Sequence, residues 1–173
     1  VETFGRHARV TFTDDWAADA ARRDFTFNAM FLDADGTLYD AHGGAEDLAA
    51  GRVRFVGEAV RRIKEDVLRL LRFFRFLAWY GKGEADAEAL DACATAAGSL
   101  ETLSGERVQT ELLKLLAADD PLPTLTLMAD RGIFRYLLPH TRKDWPRRLA
   151  ALIAIERTHG SDPVRRLAAL VAS

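Results

Sequence analysis

The chain has a single cysteine, Cys93, among 173 residues. That excludes an internal disulfide framework and any metal site built from several cysteines. A lone thiol in the alanine-rich stretch "DAEALDACATAAGSL" is expected to be a small packing residue. Long apolar runs are also missing. No stretch approaches the roughly 18 consecutive apolar residues of a membrane-crossing helix. The opening "VETFGRHARV" has no apolar core of a secretory leader, so a cytoplasmic protein is expected. The four histidines, His7, His42, His140 and His159, are scattered without ligand-like spacing and are expected at the surface or in packing. No low-complexity segment or internal repeat occurs. The chain starts at valine and ends in "RRLAALVAS" with helical periodicity still running, so a piece of a longer protein is expected.

Net charge is small, −2, but it is segregated. Residues 52–82 carry nine basic groups against three acids, residues 84–130 two against ten, and residues 131–173 nine against three. Two basic blocks around an acidic one suit a protein that meets a polyanion on part of its surface; ordinary solvated helix faces would give the same counts.

Hydrophobic periodicity divides the chain near Gly57. Before it, "TFTDDWAADAARRDFTFNAM" reads as a short extended run, an acidic cap, and a helix continuing to about Asn28. "MFLDADGTLYD" reads as a hairpin around a glycine turn, and "GGAEDLAAG" as a loop and a short helix stopped by Gly51. "RVRFVG" alternates charged and apolar residues like a half-buried strand. After Gly57 every segment reads as helix: 58–81, one ending near Gly98, a capped amphipathic helix from Ser104, one over 120–139, and two more to the end. The fold class is therefore α+β, a small strand-containing piece followed by an all-helical array. Trp16, Trp79 and Trp145 are expected in the core.

The segment "IKEDVLRLLRFFRFLAWYG", Ile63–Gly81, is built for burial yet carries Glu65, Asp66 and then Arg69, Arg72 and Arg75 at three-residue spacing. On one helix, Asp66 and the arginines form an inclined polar stripe. One reading is an Asp66–Arg69 pair in a solvated stripe, worth a few tenths of a kcal/mol. The other is a ligand groove. A carboxylate and a guanidinium one turn apart offer an acceptor and donors to the edge of a nucleobase, and further arginines can hold phosphates.

Four stretches occur in order: "RRDFTFNAM" (22–30), "DAHGGAEDL" (40–48), "EDVLRLLRFFRF" (65–76) and "SGERVQTELLKLL" (104–116). Together, across about residues 1–140, the chain resembles the class II tRNA nucleotidyltransferase and bacterial poly(A) polymerase family, the CCA-adding enzymes. The resemblance implies that residues 1–57 are the C-terminal part of the catalytic head. Residues 58–118 would be a helical neck that recognises the base, and residues 119–173 the start of a helical, RNA-binding body. It implies that Arg23 contacts nucleotide phosphates and that Asp24 and Asn28 stand at the ribose. Glu65 would orient the base-reading pair, Asp66 and Arg69 would select C or A, and Arg72 and Arg75 would complete the pocket. "DAHGG" matches the hinge, with Ala41 where the family usually has proline, and "SGERVQTELLKLL" matches a supporting neck motif. The implied substrates are CTP and ATP, the partner is tRNA or another RNA 3′ end, and the cofactor is Mg²⁺. CCA addition, A-addition and poly(A) synthesis share these motifs.

The family's metal-binding D-x-D and G-G-x-V-R-D segments do not occur before Arg22. Nucleotidyl transfer relies on Mg²⁺ to neutralise charge and align the attacking hydroxyl. The 173 residues alone are therefore expected to select bases without adding nucleotides. Two other readings remain. One is a non-catalytic helical RNA-binding module using the basic blocks. The other is remote: "FLDADGTLYD" resembles the D-x-D-G-T motif of haloacid dehalogenase-type phosphatases, with Asp33 as nucleophile and Asp35 as acid.

Overall fold

The structure is a computed structural model that describes residues 2–4, 7–9 and 15–171. Two two-stranded antiparallel sheets open the chain. Strands β1 (Glu2–Phe4) and β2 (His7–Arg9) pair with Thr3 opposite Ala8, a hairpin that sequence periodicity did not indicate. The extended run expected around residues 11–13 lies outside the described residues.

Helix α1 (Trp16–Ala21) begins where Asp15 accepts a hydrogen bond from the Ala18 amide at 2.9 Å. It ends at Arg22 rather than continuing to Asn28. The reason is tertiary: Phe25 is extended and bridges Phe55. The Thr26 amide donates to Arg54 O at 3.0 Å and the Val56 amide to Asp24 O at 3.0 Å. A 3₁₀ turn (Thr26–Asn28) then leads into the expected hairpin of β3 (Phe31–Leu32) and β4 (Leu38–Tyr39). The alternating "RVRF" buries Val53 and Phe55 as its pattern indicates, but it pairs only through that one bridge and forms no regular strand.

Helix α2 (Gly44–Ala50) is capped by a side chain four residues before it. The Asp40 carboxylate accepts from the amides of Gly44 at 2.8 Å and Ala45 at 2.9 Å. Gly51, at φ 69°, ends the helix as expected. Asp47 of α2 is buried and accepts from Thr26 Oγ1 at 2.6 Å, Arg52 Nε at 2.9 Å and Arg54 Nε at 2.9 Å. Those bonds tie α2 to the 3₁₀ turn and to the extended segment.

The helix expected over 58–81 is two helices, α3 (Ala59–Glu65) and α4 (Leu68–Tyr80). Asp66 sits in the break with extended backbone, φ −152° and ψ 110°. Its Oδ1 accepts from the Leu68 amide at 3.0 Å, the local turn by which aspartate competes with a continuing helix. Helix α4 buries Leu70, Leu71, Phe73 and Phe74. Phe73 of α4 stacks on Phe55, with centroids 5.6 Å apart, and Phe55 packs tilted against Phe25 at 4.7 Å, joining the strand-containing piece to the helices.

Helix α5 (Ala87–Ala96) starts at Asp86, whose carboxylate accepts from the Ala89 amide at 3.0 Å, and it runs into a 3₁₀ segment (Ala97–Thr102). Helix α6 (Gly105–Leu116) packs against α4; Ser104 is at its N-cap without a side-chain capping bond. The expected helix over 120–139 divides into α7 (Leu122–Asp130) and α8 (Phe134–Leu137) because Gly132 turns at φ 70°. Helices α9 (Trp145–His159) and α10 (Pro163–Val171) close the array. Arg166 of α10 is buried against Glu156 of α9, at 2.6 Å, and donates to Leu116 O at 2.7 Å and Ala118 O at 2.5 Å. It thereby satisfies carbonyls at the C-terminus of α6.

One apolar core extends from Phe25 to Leu170 and includes Cys93, whose thiol pKa burial pushes up. Trp145 lies in it, whereas Trp16 and Trp79 are about half exposed, contrary to expectation. His140 and His159 are exposed and His42 is half-buried. Among the described residues no helix is long and apolar enough to cross a membrane.

Candidate nucleotide-binding cavity

Between the strand-containing piece and α4 lies a cavity of about 600 Å³. Its walls are Arg22, Arg23, Asp24, Asn28, Asp66, Leu68, Arg69, Arg72, Phe76 and Arg107. Six of the eight residues singled out in the sequence therefore meet: Arg23, Asp24, Asn28, Asp66, Arg69 and Arg72. Glu65 and Arg75 are not in its walls.

Asp24 organises one side. It is 9% exposed, and its Oδ1 accepts from its neighbour's amide, Phe25 N, at 3.0 Å and from Asn28 Nδ2 at 3.1 Å. Its Oδ2 accepts from Arg72 Nε at 2.6 Å. The Arg72 guanidinium in turn lies over the Phe76 ring, 5.4 Å from its centroid. Arg23 is oriented from below by Asp19, which accepts from its Nε at 3.1 Å and its Nη2 at 2.8 Å, while 44% of its side chain stays exposed. Arg22 also pairs with Asp19.

Asp66 and Arg69 form the other side; the Arg69 amide donates to Asp66 O at 3.0 Å, but their side chains pair with other partners. The break before α4 re-aims Asp66, so the continuous stripe expected of one long helix does not exist. Arg69 Nη1 donates to Glu65 Oε2 at 2.6 Å and to Arg62 O at 3.1 Å, and its Nη2 donates to Arg22 O at 3.3 Å. Glu65 thus orients Arg69 from outside the cavity, together with Arg62 at 2.8 Å. Burial pushes the Glu65 carboxyl up. The hydrogen bond from Arg69 and the charges of Arg62 and Arg69 outweigh that and leave it below the ordinary glutamate value. Asp66 is held instead by Arg107 of α6, whose Nη2 donates to Oδ2 at 2.8 Å and Oδ1 at 3.1 Å.

Sequence reasoning missed Arg107, treating its segment as purely supporting. The available signal was charge: Arg107 and Lys114 are the only cations among residues 84–130. Arg75 departs the other way. It points to α6, lies 4.2 Å over Phe76, and forms a 3.0 Å ion pair from its Nε to Oε2 of buried Glu111, with the Nε–H not aligned for a hydrogen bond. Burial lowers its pKa, partly opposed by the Glu111 charge.

In chemical terms the cavity offers two carboxylates, Asp24, already committed to Asn28 and Arg72, and Asp66, together with a guanidinium, Arg69, that is held by three hydrogen bonds and has two N–H groups uncommitted, and further guanidinium groups around them. That set accepts from and donates to a planar polar edge and attracts an anion. It does not fit a divalent metal: among the described residues no group of three or more His, Cys, Asp or Glu is placed to hold one. Asp33 and Asp35 are exposed and committed to their own hairpin turn, accepting from Ala34 N at 2.6 Å and Thr37 N at 2.8 Å. They head no parallel sheet among the described residues, which removes the phosphatase reading.

The profile described as "Poly A polymerase head domain" matches residues 1–54, and "Probable RNA and SrmB- binding site of polymerase A" matches residues 85–144. The mitochondrial CCA tRNA nucleotidyltransferase 1 of Danio rerio is 48% identical over 141 residues, which is 79% of this chain and 32% of that protein. The CCA-adding enzyme of Geobacillus thermodenitrificans is 38% identical over 151 residues, 87% of this chain and 37% of that protein. The crystal structure of the Bacillus stearothermophilus CCA-adding enzyme in complex with CTP superposes with a TM-score of 0.69 at 29% identity, covering 83% of this chain and 40% of that one. The Thermotoga maritima CCA-adding enzyme complexed with tRNA gives 0.73 at 27%, covering 90% and 40%. The chain spans about a third of the length of these curated relatives. On these matches the chain belongs to the family of CCA-adding tRNA nucleotidyltransferases and poly(A) polymerases.

Proposed function

We propose that this chain is the base-selecting part of a tRNA nucleotidyltransferase that adds CMP and AMP from CTP and ATP to an RNA 3′ end. The observation that carries the reading is the meeting of Asp66 and Arg69 with Arg23, Asp24, Asn28 and Arg72 around one cavity. Asp66 accepts the exocyclic amino group that cytosine and adenine share, and Arg69 donates to the adjoining ring nitrogen or carbonyl. GTP and UTP present a carbonyl where Asp66 needs a donor, so two like acceptors would face each other. Glu65 keeps Arg69 in register, Arg23 faces the phosphates, and Asp24 with Asn28 faces the ribose while fixing Arg72. Arg75 braces Phe76, behind the base-reading face.

The division into a head (1–57), a neck (58–118) and a body (119–173) belongs to the same proposal, as does a cytoplasmic setting. Mg²⁺ is the cofactor of the whole enzyme, and its ligands are assigned to head residues beyond these 173. The chain alone then binds nucleotides without adding them. That the relatives are CCA-adding enzymes favours CCA addition over poly(A) synthesis.

The test is nucleotide binding by titration calorimetry. CTP and ATP should bind more tightly than GTP and UTP, and Asp66→Ala should abolish the preference. Equal affinity for all four nucleotides in the unaltered chain would sink the reading and leave a non-catalytic RNA-binding module as its replacement.

A further inference from the structure

Beyond the nucleotide cavity the same face of α4 continues into a second one, of about 220 Å³, lined by Arg75, Phe76, Trp79, Tyr80, Lys114 and Ala117. Phe76 is a wall of both. Arg69, Arg72, Phe76, Trp79 and Tyr80 follow one another at spacings of three or four residues and one, so they lie within about 100° around the helix and span about 16 Å along it.

This end of α4 has an unusual composition for a helix so deeply packed elsewhere. Trp79 is 47% exposed and Tyr80 is 45% exposed. The indole is nevertheless held in place: Nε1 donates to Lys114 O at 2.8 Å. Tyr80 is packed edge-on to Phe27 at 6.1 Å and roughly parallel to Phe76 at 6.0 Å. The rings are therefore fixed while much of their surface stays open to solvent. Cations stand beside them. Lys114 is half exposed, with Nζ only 3.9 Å from its nearest carboxylate oxygen, a loose pairing that leaves it free to meet another anion. Anchored, exposed aromatic rings flanked by cations are what single-stranded nucleic acid uses for binding, with bases stacking on rings and phosphates meeting the charges. The continuity through Phe76 with a cavity suited to a nucleotide, and the positive charge beside the rings, favour a nucleic-acid strand over an apolar protein segment.

We infer that this second cavity is a stacking site for an unpaired base of single-stranded RNA, whose terminal nucleotides run along the exposed face of α4 toward the nucleotide cavity. The choice of an RNA 3′ end rests on the function proposed above; the stacking site itself rests on Trp79, Tyr80 and Lys114. Because every base has a stacking face, the site tolerates different bases, while Asp66 and Arg69 read only the incoming one.

The experiment uses the 173-residue chain, CTP, and a short unpaired oligoribonucleotide ending in CC with a 5′ fluorophore, followed by anisotropy. Trp79→Ala should weaken oligonucleotide binding by roughly 5- to 150-fold, the range for loss of one base–aromatic stack, with CTP affinity changed less than about twofold. Trp79→Phe should recover most of the loss. If Trp79→Ala does not fold, Tyr80→Ala and Lys114→Glu decide the matter, each expected to weaken the oligonucleotide and spare CTP. Unchanged oligonucleotide affinity in these variants, or no oligonucleotide binding by the unaltered chain, overturns the inference. Binding through Trp79 without any preference among nucleoside triphosphates would instead sink the base-selecting reading and leave this site standing.

Discussion

Asp24 and Arg72 lie 48 positions apart in the chain and meet at 2.6 Å in the wall of the nucleotide cavity. The pair joins the strand-containing piece to α4, and it does so through a carboxylate that is 10% exposed and a guanidinium that is 30% exposed. Asp24→Ala removes that bond and the one from Asn28 and leaves Arg72 without its anion. The unfolding free energy should fall by about 1.5 to 3 kcal/mol in urea titrations, the range for hydrogen bonds to charged groups. A double-mutant cycle with Arg72→Ala should show coupling of about 1 kcal/mol. Strictly additive losses would mean that the two side chains act independently.

If Asp66 reads the incoming base as proposed, Arg107 and that base compete for the same carboxylate. Asp66 Oδ2 accepts from Arg107 at 2.8 Å, and both side chains are more than a third exposed. Exposed ion pairs of this kind contribute about 0.2 to 1 kcal/mol. Arg107→Ala should therefore tighten CTP binding by roughly 1.4- to 5-fold, since less must be broken to free Asp66. Weaker CTP binding in calorimetry would show that Arg107 contacts the nucleotide directly.

Much of this site was legible in the sequence: spacing alone gave Asp66, Arg69 and Arg72, and the family resemblance carried by the motifs implied Arg23, Asp24 and Asn28. Arg23, Asp24, Asn28, Asp66, Arg69 and Arg72 were singled out before any geometry, and all six line the cavity. What was not legible was the backbone that aims them. Apolar periodicity runs through residues 58–81 without interruption, so nothing in it marks a break at Asp66; the break comes from an aspartate satisfying the Leu68 amide locally. Likewise α1 stops at Arg22 because Phe25 bridges Phe55, a partner 30 residues away whose pairing no local propensity reveals. Arg75 keeps the three-residue spacing but not the role, because by its position α4 has turned that face toward Glu111.

Arg166 and Glu156 give the fold an acid-sensitive clamp. Both are 3% exposed, and Arg166 also holds the Leu116 and Ala118 carbonyls. Burial pushes the Glu156 carboxyl up, but the hydrogen bond from Arg166, the Asp162 amide and the charge of Arg166 together leave it below the ordinary glutamate value. A depressed folded pKa means that the unfolded chain binds the proton more readily. The clamp's contribution is thus present above the ordinary glutamate range and is lost as pH falls through the lowered folded value. Arg166→Ala should cost about 1 to 3 kcal/mol at neutral pH, because it leaves two buried carbonyls unpaired and removes one of the two guanidinium partners of Glu156, the other, Arg165, remaining at 3.3 Å. Glu156→Gln should lower stability at neutral pH and flatten its acid limb in thermal melts between pH 3 and 6, a range chosen to bracket the ordinary glutamate value of about 4.3. An unchanged acid limb would place the sensitivity elsewhere.

Gly44 connects the expected hinge segment to the cavity. A Cβ there would sit 2.3 Å from Thr26 O and 2.7 Å from Thr26 C, both backbone atoms, and 2.9 Å from Met30 Cγ. The 3₁₀ turn it would strike carries Asn28, which donates to Asp24, so the clash is transmitted toward the nucleotide site. Gly105, at the start of α6, is the control: a Cβ there meets nothing within 4 Å. Gly44→Ala should cost about 1 to 3 kcal/mol by overpacking and should also weaken CTP binding through the displaced turn. Gly105→Ala should be neutral or stabilising by up to about 1 kcal/mol, since alanine loses less backbone entropy in a helix. Chemical denaturation of both variants, with CTP affinity measured on each, tests the pair. If Gly44→Ala lost stability but bound CTP as tightly as before, α2 would support the fold without positioning the cavity.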